Sequence, residues 1–377
     1  MIKIICAVIA ELNPLHKGHE RLIKFAKSQS SGLVIVLSSA FTQRGSPSLV
    51  DKFTRSRMAI ESGVDLVLEL PFLFSCSAAQ DFSRGAVNLM GLTGLADTLA
   101  FGMEDTDFDI NSLVDVMLSE SHRESLKREL SMGASFSKAS SLSLDEILPG
   151  SHDFISKPNN MLAASYILNI RKHNYNMKTL AVRREGVYKS KLIREDLSHN
   201  LDMMPDYSRK ILSESEHANE SKLWSLLQNI FIRTSADDLR KIYCIDEGIE
   251  NLFLKNWIHS HDLDDFIGRC VCARYTRSHI RRRLIYILLN LNRYETQGFM
   301  RLGVPYARVL AFNSLGRELL RECKSKSRIR IITSLNQAKT NHEKFFAQVE
   351  YKASQLYELL LDNPDMSKEL NRVLQFP

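Results

Sequence analysis

Short apolar runs alternate with amphipathic stretches along the first half of the chain. The runs lie at 2–9, 33–38, 65–70, 98–101 and 178–182, and several are rich in Val, Ile and Leu. Their length and β-branched content predict buried strands, and the helical spacing of apolar positions between them predicts helices. Strands that alternate with helices are typical of an α/β fold built on an open parallel sheet.

The pattern changes beyond about residue 200. Strand-like runs become rare, and the segments 222–231, 237–243 and 281–291 have helical spacing. The segment 200–206 contains a proline and few apolar residues, so it is a candidate junction. We therefore predict an α/β domain over 1–200 and a mostly α-helical domain over 201–377.

Composition limits the class of protein. The chain has 377 residues, of which 44% are hydrophobic and 25% charged, as in a globular protein. No apolar run approaches the roughly 20 residues that span a bilayer, and the first residues lack the features of a signal peptide. Six cysteines without a C-x-x-C pair favour reduced thiols. We expect a cytoplasmic protein that does not bind membranes; the oligomeric state stays open.

The net charge of +6 is concentrated in one region, since residues 266–330 contain 15 Lys or Arg against 3 Asp or Glu. An apolar run at 284–289 follows the centre of this region, which predicts a helix that buries one end and exposes guanidinium groups at the other. The residues expected to contact a polyanion are Arg274, Tyr275, Arg277, Arg281, Arg282 and Arg283. The alternative is a solvated helix face whose arginines pair with acids of the same chain.

An H-x-G-H sequence, His16-Lys17-Gly18-His19, lies where the first predicted strand turns into a helix. Amide groups at a helix start lack partners and carry positive dipole, so they can bind phosphate, and Gly18 lets phosphate approach the backbone. Two imidazoles could donate hydrogen bonds to an α-phosphate under attack. The alternatives are a helix cap with a satisfied surface histidine, or zinc. Zinc is the weaker alternative because no further ligand cluster follows, and we predict no metal ligand.

Further short sequences follow this motif in a fixed order. They are Phe-Thr-Gln-Arg-Gly-Ser-Pro at 41–47, Gly-Val-Asp-Leu-Val-Leu-Glu-Leu-Pro at 63–71, Phe-Gly at 101–102, Lys-Pro-Asn-Asn at 157–160 and Arg-Tyr-Thr-Arg at 274–277. The first motif resembles the signature of the HIGH-type nucleotidyltransferase superfamily. The ordered set, which extends over most of the chain, is similar to the bacterial tRNA(Met) cytidine acetate ligase family.

This resemblance implies a Rossmann-like nucleotidyltransferase domain followed by a helical tRNA-binding domain. It also implies a two-step reaction, in which acetate attacks ATP to give acetyl-adenylate and pyrophosphate. The acetyl group then passes to the wobble cytidine of elongator tRNA(Met), and AMP is released. Because carboxylate attack on an α-phosphate needs mainly positioning and charge stabilisation, we expect His16, His19, helix amides and Mg²⁺ to provide it.

The resemblance also implies the site residues. The catalytic residues would be His16 and His19. The ATP site would be lined by Val8, Ile9, Ala10, Glu11, Leu12, Asn13, Pro14, Leu15, His16, Lys17, Gly18, His19, Glu20, Arg21, Gly102, Asn159, Asn160, Arg183 and Arg184. Gln43 and Arg44 would lie on a loop that closes over the adenylate or meets the anticodon, and the alternative is a structural turn.

One segment differs from the family pattern. Where the family has Ser-Ala-Thr-Ala-Ile-Arg, residues 189–194 read Lys-Ser-Lys-Leu-Ile-Arg, so lysines replace hydroxyls expected to bind phosphate. Two other functions therefore stay open beside the acetate ligase. One is an adenylyltransferase that acts on a small nucleotide or phosphorylated cofactor, and the other is a catalytically silent RNA-binding homologue.

Overall fold

A computed structural model describes residues 4–134, 136–184, 188–370 and 374–376. Its strands are β1 (Ile5–Ala10), β2 (Gly32–Ser38), β3 (Leu66–Leu70), β4 (Thr98–Met103), β5 (Lys178–Arg183), β6 (Tyr306–Phe312), β7 (Arg330–Ile332) and β8 (Leu374–Gln375). The five strands predicted in the first half are confirmed as β1 to β5. Positions 2 and 3 of the first predicted run lie outside the described residues.

Helices connect these strands, and most lie between β4 and β6. They are α1 (Lys17–Ser28), α2 (Lys52–Glu61), α3 (Phe72–Ser75), α4 (Ala79–Thr93), α5 (Ile110–Leu118), α6 (Glu120–Ser131), α7 (Phe136–Ile147), α8 (Ser151–Ser156), α9 (Pro158–Lys172), α10 (Ser190–Glu195), α11 (Leu197–Asn200), α12 (Asp206–Ser213), α13 (Lys222–Arg233), α14 (Ala236–Arg240), α15 (Ile249–Asn256), α16 (Leu263–Cys270), α17 (Arg277–Leu288), α18 (Arg293–Leu302), α19 (Ser314–Lys326) and α20 (Asn341–Glu358). None of the described helices is both long and apolar enough to cross a membrane.

The strands form one mixed sheet in the order β5-β4-β1-β2-β3-β6-β7. β1 pairs in parallel with β2 on one side and with β4 on the other. The parallel β1, β2, β4 and β5 therefore end at the same edge of the sheet. Ligands of open α/β sheets bind at this edge, and the turn with His16 and His19 lies there.

The second half of the chain completes the same sheet. β6 pairs antiparallel with β3, and β7 and β8 pair in parallel with β6. The sequence pattern missed these strands because β7 and β8 are short and the charged Arg308 interrupts the apolar run of β6. The helices predicted at 222–231, 237–243 and 281–291 are confirmed as α13, α14 and α17, with boundaries that differ by several residues. The division at residue 200 stays a prediction.

Apolar cores fill both faces of the sheet. One core contains Val34 and Val36 of β2 and extends to the helices α4, α9, α17 and α20. The other contains Leu33 and Ile35 of β2 with residues of α1, α2 and α12. Alternate residues of one strand thus enter opposite cores, as in a sheet covered on both faces.

Candidate active site

The two histidines of the H-x-G-H sequence hydrogen-bond to each other at the start of α1. His16 is the N-cap residue, and its Nδ1 accepts the backbone N–H of His19 at 3.2 Å. In return, the backbone N–H of His16 donates to Nδ1 of His19 at 3.3 Å, and the rings stack with centroids 3.8 Å apart. Because both Nδ1 atoms are acceptors, each neutral ring carries its proton on Nε2.

Burial keeps both rings neutral. His16 is fully buried, and its pKa is lowered to about 4 by desolvation and by the charge of Arg184. Burial, His16 and Arg184 lower the pKa of His19 well below its ordinary value. A Cβ on Gly18 would lie 2.9 Å from Cε1 of His16, so only glycine fits without displacing the ring. The turn therefore combines helix-start amides with two neutral Nε2–H donors, and the predicted helix cap is part of this arrangement.

A cleft opens beside the histidines on the side of β4 and β5. Gly102 lies near the end of β4 that borders this cleft. A Cβ at this position would be 2.9 Å from Cγ of Arg184, so the missing side chain makes room for this arginine. Burial lowers the pKa of Arg184, whereas Arg183 is exposed and its Nη1 lies 3.5 Å from a carboxylate oxygen of Asp107. The cleft is lined by Gly18, His19, Arg21, Leu22, Gly102, Val182, Arg183, Arg184 and Tyr188, six of which the sequence analysis placed in one ATP site.

Several other residues of the predicted ATP segment are engaged within the protein. Val8, Leu12 and Leu15 are buried in the apolar core. The side-chain oxygen of Asn13 accepts the Leu49 backbone N–H at 2.7 Å. Glu20 pairs with the exposed Lys24 at 3.0 Å, and Lys17 is exposed. The remaining residues of the segment are Ile9, Ala10 and Pro14. The buried members can reach a ligand only through their backbone.

Asn159 and Asn160 hold the loop that follows β4. The Asn160 side chain is fully buried, and its oxygen accepts the backbone N–H of Glu104 at 2.8 Å. Its amide donates to Asp105 at 2.7 Å and to the carbonyl oxygen of Phe154 at 3.1 Å. The Asn159 amide donates to the Glu104 carboxylate at 2.5 Å. Asn160 is therefore placed to position this loop, because its side-chain groups are already bonded within the protein.

On the opposite side of the histidines, the loop after β2 joins β1 to the basic helix α17. The backbone N–H of Gln43 donates to the Glu11 carboxylate at 2.7 Å, and the carbonyl oxygen of Gln43 accepts from Arg282 at 3.0 Å. Gly45 has φ +81°, and a Cβ there would lie 2.4 Å from the backbone nitrogen of Arg282. Arg44 is exposed. Gln43 and Arg44, the predicted loop residues, thus lie beside the site on a turn that packs against α17.

The divergent segment 189–194 also returns to the first turn. Arg194 donates to the carbonyl oxygen of Asn13 at 2.5 Å, and Ser190 donates to that of Pro14 at 3.4 Å. Lys189 is exposed, and Lys191 is exposed and lies 3.4 Å from Glu195. Arg194 is exposed like the two lysines, but of these three residues it is the one that is hydrogen-bonded to the first turn.

The arginines of α17 differ in their partners. Arg281 pairs with Glu220 and lies 3.6 Å from Asp264, and Arg277 also pairs with Asp264. Asp264 lies just ahead of the basic region 266–330, and Glu220 is 61 residues before Arg281, so the count of acids within that region missed both partners. The alternative of intramolecular pairing is correct for these two residues. Arg274 and Arg282 form no ion pair with a described residue.

Tyr275 and Arg283 are not free for the contacts expected of them. Tyr275 is buried, its hydroxyl donates to the carbonyl oxygen of Glu247 at 2.8 Å, and its ring stacks on His279. This burial corrects the expectation that the ring stacks on an RNA base. Arg283 donates to the carbonyl oxygen of His279 at 3.2 Å, and burial lowers its pKa. Of the predicted RNA contacts, Arg274 and Arg282 retain the most suitable positions.

Arg55 is a structural residue of the site that sequence reasoning missed. It is fully buried in α2 and donates to the carbonyl oxygens of Glu11 and Ser39, each at 2.7 Å, and to that of Val50 at 3.2 Å. One guanidinium thus fixes the ends of β1 and β2 relative to α2. A single arginine in an amphipathic helix carries no sequence signal for this role.

Among the described residues, one group of three carboxylates is close enough to hold a metal ion, and it lies away from the histidines. It consists of Glu69, Glu350 and Glu369. The ammonium of Lys52 is 2.9 Å from Glu350 and 2.6 Å from Glu369, and it also pairs with Glu69. A lysine therefore supplies the cation that these carboxylates require.

Known proteins resemble the chain over nearly its whole length. It matches the family described as HIGH Nucleotidyl Transferase over residues 3–372. It is 32% identical to the tRNA(Met) cytidine acetate ligase of Clostridium perfringens, with 96% of each chain covered. A protein of the same name from a Thermoanaerobacter species is 30% identical, with 96% of this chain and 97% of the other covered. The structure of Thermotoga maritima TmcAL bound with alpha-thio ATP matches with a TM-score of 0.90 at 24% identity, covering 99% of this chain and 100% of the other, which confirms the fold.

Proposed function

The chain belongs to the tRNA(Met) cytidine acetate ligase family, within the HIGH nucleotidyl transferases, and we propose from this premise that it acetylates the wobble cytidine of elongator tRNA(Met). In the first step, an acetate oxygen attacks the α-phosphorus of ATP and pyrophosphate leaves. In the second step, the acetyl group of acetyl-adenylate passes to the exocyclic amine of the cytidine and AMP leaves. The observation that carries this proposal is the histidine pair at the first β–α turn.

We assign the catalytic role to His16 and His19. Negative charge increases on the phosphoryl oxygens as acetate attacks, and hydrogen-bond donors fixed in advance stabilise it without reorganisation. Both rings offer an Nε2–H because their Nδ1 atoms are occupied by backbone N–H groups. Neutral rings donate without the cost of burying a charge.

The cleft on the side of β4 and β5 fits the nucleotide. Gly18 and Gly102 leave room for phosphate and ribose near the backbone, and Arg184 supplies positive charge. We assign Arg21, Arg183 and Arg194 to the same binding region. Asn160 would act indirectly, because its hydrogen bonds fix the loop at Glu104 and Asp105.

Mg²⁺ would enter with ATP. Magnesium commonly binds substrate phosphates while it retains several waters, so it needs few protein ligands. The described part of the chain has no cluster of three carboxylates beside His16 and His19. Mg²⁺ on the phosphates would neutralise charge on the leaving pyrophosphate, and the residues of this chain would orient the α-phosphate.

The tRNA would lie along the start of α17. Arg274 and Arg282 offer positive charge there without a carboxylate partner among the described residues, which suits phosphate contacts. Gly45 packs the loop after β2 against the same helix, so RNA bound to α17 would be close to the adenylate. A tRNA substrate places the enzyme in the cytoplasm.

Acetate-dependent exchange of pyrophosphate into ATP tests the first step. We expect exchange in the wild-type protein and a loss of about 100-fold to 1000-fold in His19→Ala, because one preorganised donor is removed. Binding of tRNA should be unchanged in this variant, and the exposed His259→Ala is the matched control. Equal exchange in wild type and His19→Ala would refute the role of His19. Exchange that requires a phosphorylated small molecule in place of acetate would favour an adenylyltransferase.

A further inference from the structure

Groups from three elements meet on the β2 side of the histidine pair. The Glu11 carboxylate follows β1, the Gln43 peptide belongs to the loop after β2, and Arg282 lies on α17. The single residue Gln43 joins the other two, through its N–H to Glu11 at 2.7 Å and through its carbonyl oxygen to Arg282 at 3.0 Å. The nucleotide cleft lies on the other side of β1, so this corner is a second region of the same site.

The position of Glu11 is firmly fixed. Its carbonyl oxygen accepts from the buried Arg55 at 2.7 Å. Among the described residues, the Gln43 amide is the only hydrogen-bond donor to the Glu11 carboxylate. The side chain is half-buried, so its remaining acceptor positions can reach a ligand.

A carboxylate here is poorly suited to bind the first two substrates. ATP and acetate are both anions, and a like charge within a few ångströms weakens their binding. The exocyclic amine of cytosine, by contrast, is a hydrogen-bond donor that carboxylates recognise. The N3 and O2 atoms beside it are acceptors. A site for cytosine therefore needs one acceptor next to one or two donors.

The loop after β2 offers such donors. Arg44 is exposed and forms no ion pair with a described residue, and the Gln43 side-chain amide has no hydrogen bond to one. We propose that Glu11, Gln43 and Arg44 form the subsite for the acceptor base, in which the Glu11 carboxylate accepts the exocyclic amine of the cytidine and takes its proton. This inference rests on the proposed function. It adds a catalytic residue and a means of base selection.

In the transfer step, the amine nitrogen attacks the carbonyl carbon of acetyl-adenylate and forms the C–N bond. The bond between that carbon and the phosphate oxygen breaks, and its electron pair leaves with AMP. The proton lost by the amine goes to the Glu11 carboxylate and then to solvent. A base for the cytidine amine acts only in the transfer step, so the two half-reactions should respond differently to substitution of Glu11.

Glu11→Gln tests this assignment, because glutamine can still accept the Gln43 N–H but cannot take the proton. We expect acetyl transfer to tRNA to fall at least about 100-fold further than acetate-dependent pyrophosphate exchange does, the usual contribution of a general base. Retained exchange also shows that the variant folds. The matched control is Glu120→Gln, at an exposed glutamate on α6 that pairs with Arg123 at 2.8 Å.

Arg44→Ala provides a second test at an exposed position. We expect transfer to slow more than exchange does. An equal loss of exchange and transfer in Glu11→Gln would overturn the proposal and assign Glu11 to adenylation. Unchanged transfer in both variants would overturn it as well. A wild-type protein that exchanges pyrophosphate but never acetylates tRNA would refute the proposed function itself.

Discussion

At the scale of single residues, His16 and His19 form a donor pair that does not need to titrate. Each ring is held with Nδ1 as an acceptor, and desolvation lowers both pKa values, that of His16 to about 4. The rate of a reaction that uses a histidine as general base changes with pH near the pKa of that histidine. A histidine that stays neutral and only donates a hydrogen bond causes no such change. The two roles therefore differ in their pH dependence.

We expect acetate-dependent pyrophosphate exchange at saturating MgATP to vary less than about twofold between about pH 8 and pH 5.5, since both histidines stay neutral there. The measurement is the exchange rate in wild type across this range. A decline with an apparent pKa near the ordinary histidine value would contradict the account.

The lowered pKa values also imply that stability falls as pH falls from 6.5 towards 4, because only the unfolded chain binds those protons.

The motif residues of the site could be predicted from sequence, but their supports could not. Gly18, His19 and Gly102 lie in short patterns with a clear physical reason, and the structure brings them together. Arg55 and Glu11 act through contacts with residues distant in sequence. Tyr275 was misinterpreted because an exposed and a buried tyrosine look alike beside arginines.

At the scale of elements, the loop after β2 depends on its glycine. Gly45 and Gly63 both have positive φ, +81° and +100°, but an added Cβ at Gly63 meets nothing within 4 Å, whereas at Gly45 it meets the α17 backbone at 2.4 Å. Substituting each by alanine therefore separates backbone strain from a clash between two elements.

We expect Gly63→Ala to lower the free energy of unfolding by about 1 kcal/mol, through strain alone. Gly45→Ala should lower it by about 2–4 kcal/mol, because the clash with α17 is added, and it should slow acetyl transfer. Urea unfolding and transfer assays measure both effects. Equal destabilisation by the two variants would show that the loop is not held against α17.

Elements were predictable where the apolar pattern was local. β1 to β5 are apolar runs between turns, and each is confirmed. β6 was missed because Arg308 lies in its middle, and this arginine is tolerated there only because Glu69 and Glu369 pair with it. That pairing joins distant parts of the chain, so no local pattern reports it.

At the scale of the whole molecule, a buried ionic cluster connects the two ends of the chain. It comprises Lys52, Glu69, Arg308, Glu350 and Glu369, together with Ser39, whose hydroxyl donates to Glu350 at 2.5 Å. Burial raises the pKa of Glu69 to about 8, with repulsion from Glu350 adding to it. Three carboxylates thus share two cations, and the raised pKa makes Glu69 the member of the cluster that takes up a proton most readily.

Lys52→Met should destabilise the protein by about 3–5 kcal/mol, because it leaves buried carboxylates without their cation. Glu69→Gln should cost less than Lys52→Met at pH 7, since it removes one carboxylate from a cluster that has three carboxylates and two cations. Urea unfolding of both variants checks this. Similar losses of unfolding free energy in the two variants would contradict this distribution of charge. Because the folded pKa of Glu69 is raised, this group lowers stability as pH rises from 4.5 towards 8.

The reaction of the whole enzyme is measured by the incorporation of radiolabelled acetate into an elongator tRNA(Met) transcript. We expect incorporation that requires ATP, is absent from a transcript with uridine at the wobble position, and falls at least about 100-fold in His19→Ala. No incorporation, where a ligase of the same family is active under the same conditions, would contradict the account. So would equal incorporation into the uridine transcript.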